Sequence, residues 1–342
     1  MRGRDILQNL KSNLWNSDFS HIYIEKNAIN HPNTIKILEH FKNSTVVKID
    51  YYKEMFSRSN QSFRSQKQSR KLILAIKKDG LIYEGAEVCE DFGNEHFYYT
   101  SSMMNCIYDC EYCYLQGMYP SANIVVFVNI EDIFNEVEKL LKKHPVYLCI
   151  SYDTDLLAFE GVTLFTTLWM EFAKNHPNLK LELRTKSANF DAIKDIKCLD
   201  NTILAWTISP DNVISKYEWK TPSLELRLKS IKQAIQKGWN VRICFDPLLY
   251  IRDWKKQYSL CVEHTFKELP YDKILDVSIG VFRVAKDYLK KMEKERIYSP
   301  ILAYPFECTN GVCSYSKKHA EQMIDFVYKE VCKFIPKEKI YI

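Results

Sequence analysis

Cys106-Ile107-Tyr108-Asp109-Cys110-Glu111-Tyr112-Cys113 sets three thiols four and then three residues apart, and the aromatic run continues as Tyr114-Leu115-Gln116. Thiolates are the soft ligands that iron–sulfur clusters need, and a short loop carrying three of them can bind three irons of a cubane while the fourth stays open. An open iron can take a substrate or cofactor. A structural zinc ion would require a fourth thiolate or imidazole, and no CxxC or HxxxH pattern follows downstream to supply one. Unrelated core cysteines are the remaining reading.

Cysteines in C-x3-C-x2-C order, with an aromatic residue just before the last, resemble the radical S-adenosylmethionine (SAM) superfamily. The 342 residues suffice for one large α/β domain with an appendage, or for two ordinary domains. A hydrophobic share of 46% supports a full core and excludes a disordered chain. The net charge of +5, from 48 basic against 43 acidic residues, neither requires nor excludes a polyanionic partner. No apolar run approaches the roughly 20 residues that span a bilayer, and Met1 to Leu7 lacks the apolar stretch of a signal peptide. A cytoplasmic, reducing location is expected, where thiols stay free to bind metal. Of the other cysteines (89, 149, 198, 244, 261, 308, 313 and 332), most read as small buried apolar residues.

Three regions follow from the order of patterns: an amino-terminal accessory domain over 1–95, a barrel over 96–298, and a hairpin with a closing helix over 299–342. In the first, 21–25 has strand composition, 33–41 has helical spacing, and 71–77 reads as a second strand. The polar stretch 57–70 lacks periodicity and is expected as a loop, either a solvated linker or a phosphate-contacting arm. Strand patterns at 97–101, 146–151, 179–184, 202–208, 240–245 and 275–279 then alternate with helical ones, and 124–128 reads as a short edge strand before a helix over 131–142. Further helices are expected over 164–174, 224–237, 255–269 and 284–294. Six β–α units fall short of the eight that close a TIM barrel, so the sheet should stay open. Asn310-Gly311 between Cys308 and Cys313 predicts a hairpin tip, with a helix over 319–334 and a last strand over 339–342.

Ligand-handling residues of such barrels collect at the carboxyl ends of the strands. Those ends carry Ser151-Tyr152-Asp153-Thr154-Asp155, Arg184-Thr185-Lys186, Thr207-Ile208-Ser209 and Asp246-Pro247. Each alone reads equally well as a turn or helix cap. Together they suit a cofactor with an amino acid end and a ribose.

The sequence resembles the spore photoproduct lyase family of radical SAM DNA repair enzymes. The resemblance rests on Cys106 to Gln116, on Thr185-Lys186, and on Glu218-x2-Thr221-x2-Leu224-x2-Arg227 leading to Gly238. Pro247, Tyr250 and Trp254, the ending 334–341 and the strand 21–25 extend it nearly end to end. It implies an α/β fold, a radical SAM partial (β/α)6 TIM-like barrel with a small amino-terminal domain and a carboxyl-terminal β-hairpin. It further implies a 4Fe-4S cluster on Cys106, Cys110 and Cys113, SAM on the free iron, and reversal of a methylene-bridged thymine dimer in DNA to two thymines. By motif position Lys186 would pair with the SAM carboxylate, with Thr154, Thr207 and Ser209 near its polar atoms. Tyr112 would lie against the adenosyl group and Tyr114 would relay a hydrogen atom.

One departure stands out. The family carries a cysteine on the second core strand that returns a hydrogen atom to the product, and Tyr152 occupies that position here. Tyr152, Cys308 and Cys313 are therefore the candidate donors, or the substrate has changed. Implied partners are lesion-bearing DNA and a flavodoxin- or ferredoxin-type electron donor. Arg283, Lys317, Lys318 and the hairpin 306–315, with Lys255 and Lys256, are the candidate DNA contacts. Two rivals remain: the same scaffold acting on another nucleic acid, peptide or small molecule, and a non-catalytic metal-cluster protein that binds nucleic acid.

Overall fold

Apolar side chains on both faces mark strands that are covered on both sides, as parallel sheets are. Val146–Cys149 and Thr202–Thr207 have this pattern, whereas Leu179–Thr185, Asn240–Leu248 and Asp276–Val281 alternate apolar residues with polar ones such as Glu182, Arg242 and Asp276; the five run in parallel, each beside the next. The computed structural model, which describes residues 19–86 and 89–342, adds Phe97–Tyr99 in parallel at one side and Ile340–Tyr341 at the other. Tyr83–Glu84 closes the first edge antiparallel, completing eight strands. All six expected barrel strands are present, and the chain's last strand extends the sheet without closing it. The basic stretch 1–7 lies outside the described residues.

A second sheet lies ahead of the barrel. Thr45–Ile49, His21–Glu25, Leu72–Ala75 and Ile124–Phe127 are neighbours in that order, all parallel, and Met103–Met104 adds antiparallel at the edge. Ile124–Phe127 was expected at the barrel's edge and instead belongs here. All four of its residues are buried, which announces a covered strand but not its partner. Side-chain bonds fix the choice: Asn123 Oδ1 accepts from Lys71 N at 2.9 Å, and Asn129 Oδ1 accepts from Lys77 N at 2.8 Å. The segment carrying the cysteine loop is thus woven into both sheets.

Helices cover the outer faces. Ile130–Leu141, Phe165–Lys174, Leu224–Gln236, Trp254–Glu268, Lys286–Glu295 and Lys317–Val331 fall where the spacing predicts. Leu156–Thr163 is an addition, apolar all round because it is buried, and started by Asp155, whose carboxylate accepts from Ala158 N at 3.1 Å. Within the expected loop 57–70 a short helix forms at Phe63–Gln68, capped by Ser62 and anchored by buried Phe63. Among the described residues no single helix is long and apolar enough to cross a membrane. Glu307–Thr309 and Val312–Ser314 form the hairpin about Asn310-Gly311, both with positive φ, and Arg283–Ala285 pairs with it to tie it to the barrel.

One buried polar cluster crosslinks the barrel strands. Arg242 donates from Nε and Nη2 to both oxygens of Asp276 at 2.5 and 2.8 Å, and from Nη1 to Glu182 at 2.5 Å and Tyr147 at 2.7 Å. The ring of Phe92 covers the guanidinium at 3.2 Å. Replacing Arg242 by Met leaves buried Asp276 without its cation and Glu182 with Arg184 alone, which should cost about 3–5 kcal/mol in urea unfolding. A loss below about 1 kcal/mol would show that the cluster does not hold the sheet.

Candidate functional site

The cysteine loop opens at Asn105, which adopts a left-handed conformation (φ 68°) and donates its side-chain amide to Ser121 O and Asn123 O, both at 2.7 Å. Its next carbonyls meet two cations. Lys67 Nζ donates to Tyr108 O at 2.7 Å and to Cys106 O at 3.3 Å, and Arg70 Nη1 donates to Ile107 O at 2.7 Å and Cys106 O at 3.0 Å. The stretch expected as a linker or phosphate-contacting arm therefore supplies a clasp on the loop. Burial lowers the pKa of Lys67, helped by Arg70 and opposed by Asp109 at 3.9 Å. On the other side Arg296 pairs with the Asp109 carboxylate and donates to Gln116 Oε1 at 2.9 Å. Gln116 Nε2 in turn donates to Glu111 O at 2.6 Å, which gives the glutamine of Tyr-Leu-Gln its structural role.

A short antiparallel bridge braces the middle of the loop: Glu218 stands opposite Cys110 and Trp219 opposite Asp109. The Glu218 carboxylate is fully buried, bonded by Arg227 Nη2 at 2.5 Å, by Ser209 Oγ at 2.8 Å and by the Tyr112 hydroxyl. Burial opposes its ionisation, but Arg227, then Lys186, then the Tyr112 hydrogen bond outweigh that, holding its pKa down to about 2. Thr221 Oγ1 accepts from Arg227 Nη2 at 2.8 Å, and Thr207 O accepts from Arg227 Nη1 at 3.1 Å. The Glu218-x2-Thr221-x5-Arg227 pattern is thus one ion pair with its supports. Ser209, expected beside the cofactor, gives its hydroxyl hydrogen to Glu218 instead.

Burial raises the pKa of all three loop cysteines, that of Cys106 to about 12. Thiols so placed suit a bound cation, which takes them as thiolates and removes the penalty. Lys186, from the end of Leu179–Thr185, stands over the Tyr112 ring at 5.5 Å. Burial works against its charge, but Glu218, Cys110 and Cys113 raise its pKa. Among the described residues no three Cys, His, Asp or Glu side chains crowd together as about a single ion, and a cubane distributes its ligands over separate irons. The donor set fits a cluster better than zinc.

The other strand ends divide by hydrogen bonding. Ser151 Oγ bonds Arg184 O and Arg184 N, and Asp155 accepts from Thr185 Oγ1 and Lys186 N, each at 2.7 Å, besides capping its helix. These are structural. Asp153 accepts from Ser101 Oγ and from Tyr119 OH at 2.8 Å through Oδ2, leaving buried Oδ1 without a partner. Thr154 Oγ1 is also buried and unpartnered. Such atoms are costly unless a ligand meets them. Near the mouth, Arg184 and Arg283 both approach Asp246, at 3.5 and 3.1 Å. Gly280 makes room for that pair, since a Cβ there would lie 2.8 Å from Arg283 Nη1 and 2.9 Å from Asp246 Oδ1. Arg283, a candidate DNA contact, is therefore also an ion-pair partner. Lys317 extends beside Glu321 at 3.9 Å, and Lys255 lies over the Trp254 ring at 5.6 Å.

Tyr114 OH donates to Tyr152 O at 2.5 Å, so the expected relay and the departing residue are in contact. The Tyr152 ring stacks on Tyr99 at 4.5 Å, and its hydroxyl is hydrogen-bonded to Cys89 Sγ. Sequence reading passed over Cys89 as a core residue, and its distance from the triad in the chain gave no signal. Cys149, by contrast, is turned to Glu182 at 3.8 Å. Cys308 and Cys313 correct the expectation: directly opposite across the hairpin with Cα atoms 4.0 Å apart, they form a disulfide. Paired in this way neither sulfur carries a hydrogen atom to give.

Comparison with known proteins agrees with this arrangement. The family model described as spore photoproduct lyase matches residues 18–299. The spore photoproduct lyase of Clostridium acetobutylicum is 24% identical over 297 residues, 81% of this chain and 82% of its own, and that of Bacillus subtilis is 22% identical over 285, covering 80% and 81%. A spore photoproduct lyase solved with dinucleoside spore photoproduct superposes with a TM-score of 0.81 at 18% identity, covering 94% of this chain and 97% of that one. A variant solved with AdoMet and the same dinucleoside gives 0.80 with the same coverage. Half-barrel, cysteine loop and family match together define a radical SAM enzyme. The chain belongs to the spore photoproduct lyase family, whose members are radical SAM lyases of DNA repair.

Because the folded pKa of Glu218 lies below its ordinary 4.5, its contribution is complete above that value and is lost as pH falls through about 2. Urea-unfolding free energy should fall between pH 4.5 and 2, by roughly 3 kcal/mol for this one group. In Glu218→Gln that part of the slope should vanish; an identical slope in the variant would contradict the assignment.

Proposed function

We propose that the chain restores two thymines from the methylene-bridged thymine dimer in DNA, with a 4Fe-4S cluster on Cys106, Cys110 and Cys113 and SAM on the iron they leave free. The observation that carries this reading is the braced loop of three thiols, with the Lys186 ammonium over the ring of Tyr112 within that loop, in a chain of this family. Related structures that hold AdoMet and dinucleoside spore photoproduct support it. One-electron reduction of such a centre supplies a 5′-deoxyadenosyl radical at the barrel mouth.

The chain's own residues position and protect. Lys186 gives a SAM carboxylate its counter-charge in a dry site, where an unpaired charge would be costly. Thr154 Oγ1 and Asp153 Oδ1 offer unpartnered polar atoms, and Thr207 lies buried at the end of its strand. The ring of Tyr112 is fixed through its hydroxyl on Glu218 and can lie flat against an adenosyl group.

Removing a hydrogen atom from the bridged dimer and breaking the bridge leaves a thymine-borne radical that needs one hydrogen atom back. Cys89, hydrogen-bonded to Tyr152 beside Tyr114, is the donor in this reading: its S–H bond breaks, a C–H bond forms on thymine, and the sulfur keeps the unpaired electron. A thiol thus stands beside the position where Tyr152 replaces the family's cysteine, which weakens the case for a different substrate. The electron comes from a flavodoxin- or ferredoxin-type protein. Lys317, Lys318, Lys255 and Lys256 remain the cations for flanking phosphates.

Anaerobic reconstitution, reduction and incubation with SAM and dinucleoside spore photoproduct tests the proposal. Wild type should form 5′-deoxyadenosine and thymine, and in D2O the recovered methyl group should carry deuterium from the exchangeable thiol. Cys89→Ala should still cleave SAM but divert at least about tenfold more product to reductant adducts, a barrier change of about 1.4 kcal/mol. Deoxyadenosine without thymine from wild type would remove the lesion as substrate, and an unchanged product spectrum in Cys89→Ala would remove the donor.

A further inference from the structure

The proposed reading requires an electron to reach the cluster loop from solution, and two elements both touch that loop and reach solvent. The first is Glu218–Trp219, paired with Asp109–Cys110. The second is the helix Lys286–Glu295, so close to the segment after Cys113 that a Cβ on Gly117 would lie 2.4 Å from Tyr288 O. The chain beyond that helix holds the loop through Arg296. Each element presents apolar surface: Trp219 is 48% exposed, Ile297 64% and Tyr298 85%. The Arg296 guanidinium lies 5.9 Å from the Trp219 ring and joins the two into one patch.

The rim of the patch is basic. Lys216 and Lys220 flank Trp219 and are exposed, as are Lys294 and Arg64, the latter brought in by its backbone N–H, which donates to the Glu295 carboxylate at 3.0 Å. The acidic residues of the same helix are exposed Glu293, half-buried Glu295 and, at its far end, Asp287. Exposed aromatic and aliphatic groups within a cationic rim match a partner with a small apolar contact inside an acidic face. The route inward is short: the indole at 219, one peptide unit, and the pairing of Glu218 with cluster ligand Cys110.

We propose that Trp219, Ile297 and Tyr298, with the rim of Lys216, Lys220, Lys294 and Arg64, form the docking surface for an acidic one-electron carrier protein that reduces the cluster. The inference rests on the radical SAM reading above, and the test separates the two. Deoxyadenosine formation by the anaerobically reconstituted full chain is measured with dithionite and, separately, with reduced flavodoxin. The double variants Lys216→Glu/Lys220→Glu and Ile297→Ser/Tyr298→Ser should keep the wild-type dithionite rate and lose at least about tenfold of the flavodoxin rate, and the wild-type flavodoxin rate should fall with salt. Equal loss with both reductants, or full flavodoxin activity in both variants, overturns the surface. Loss of affinity for lesion-bearing DNA with an unchanged flavodoxin rate assigns the patch to nucleic acid and overturns it too. A wild type that cleaves no SAM even with dithionite refutes the radical SAM reading, and the docking surface with it.

Discussion

A carboxylate with no exposed surface governs the site. Glu218 would be intolerable alone, since an unpaired buried charge costs several kcal/mol, so it requires Arg227 at 2.5 Å and hydrogen bonds from Ser209 and Tyr112. Those partners come from three places: the helix Leu224–Gln236, the turn after Thr202–Thr207, and the cysteine loop itself. Satisfying one charge therefore fixes the loop against the barrel. Lys67 and Arg70 do the same from the other sheet by filling the loop's carbonyls. The loop has little regular structure of its own, and its shape is imposed by charges that reach it from far along the chain.

This explains the division between what could be read in advance and what could not. Periodicity identifies a covered strand because burial on both faces leaves a continuous apolar run, so Val146–Cys149 and Thr202–Thr207 were legible. It carries no information about neighbours, so Ile124–Phe127 was assigned to the wrong sheet. Cys106, Cys110 and Cys113 were legible because a ligand set confined to one loop has fixed spacing. Lys67 and Arg70 lie nearly 40 residues away in a polar stretch that resembles any solvated linker. Ser209 shows a contact that spacing does not announce: its hydroxyl, just past a strand end, donates to the buried Glu218 carboxylate.

The two sheets also account for the site's location. Met103–Met104 pairs with Ile124–Phe127 in the leading sheet, whereas Phe97–Tyr99 pairs with Val146–Cys149 in the barrel. Phe97–Tyr99 and Met103–Met104 both precede the cysteine loop; the strands that flank it, Met103–Met104 and Ile124–Phe127, pair with each other in the leading sheet, and its middle is bridged to Glu218–Trp219 beyond the barrel strand Thr202–Thr207. A loop anchored in the leading sheet and bridged to the barrel presents one side to the barrel mouth, where Lys186 and the Thr154 hydroxyl lie.

Tyr152 shows why a departure from a family pattern should be judged in space rather than along the chain. Replacing a strand cysteine by tyrosine removes a thiol from the strand and adds a ring with a distant hydroxyl. Here the ring stacks on Tyr99, and the hydroxyl ends at the sulfur of Cys89, which enters from the connection between Tyr83–Glu84 and Phe97–Tyr99. In the proposed reading, a thiol stands at the far end of that ring. Burial, then Cys89 itself, raises the pKa of Tyr152 well above the ordinary phenol value, so the hydroxyl stays protonated at neutral pH. A protonated phenol thus lies beside a thiol, with Tyr114 bonded to the same residue's carbonyl. Chemistry that depends on a hydrogen atom constrains the distance between groups, and in the proposed reading a cysteine on a separate element, bonded to the Tyr152 hydroxyl, meets that constraint.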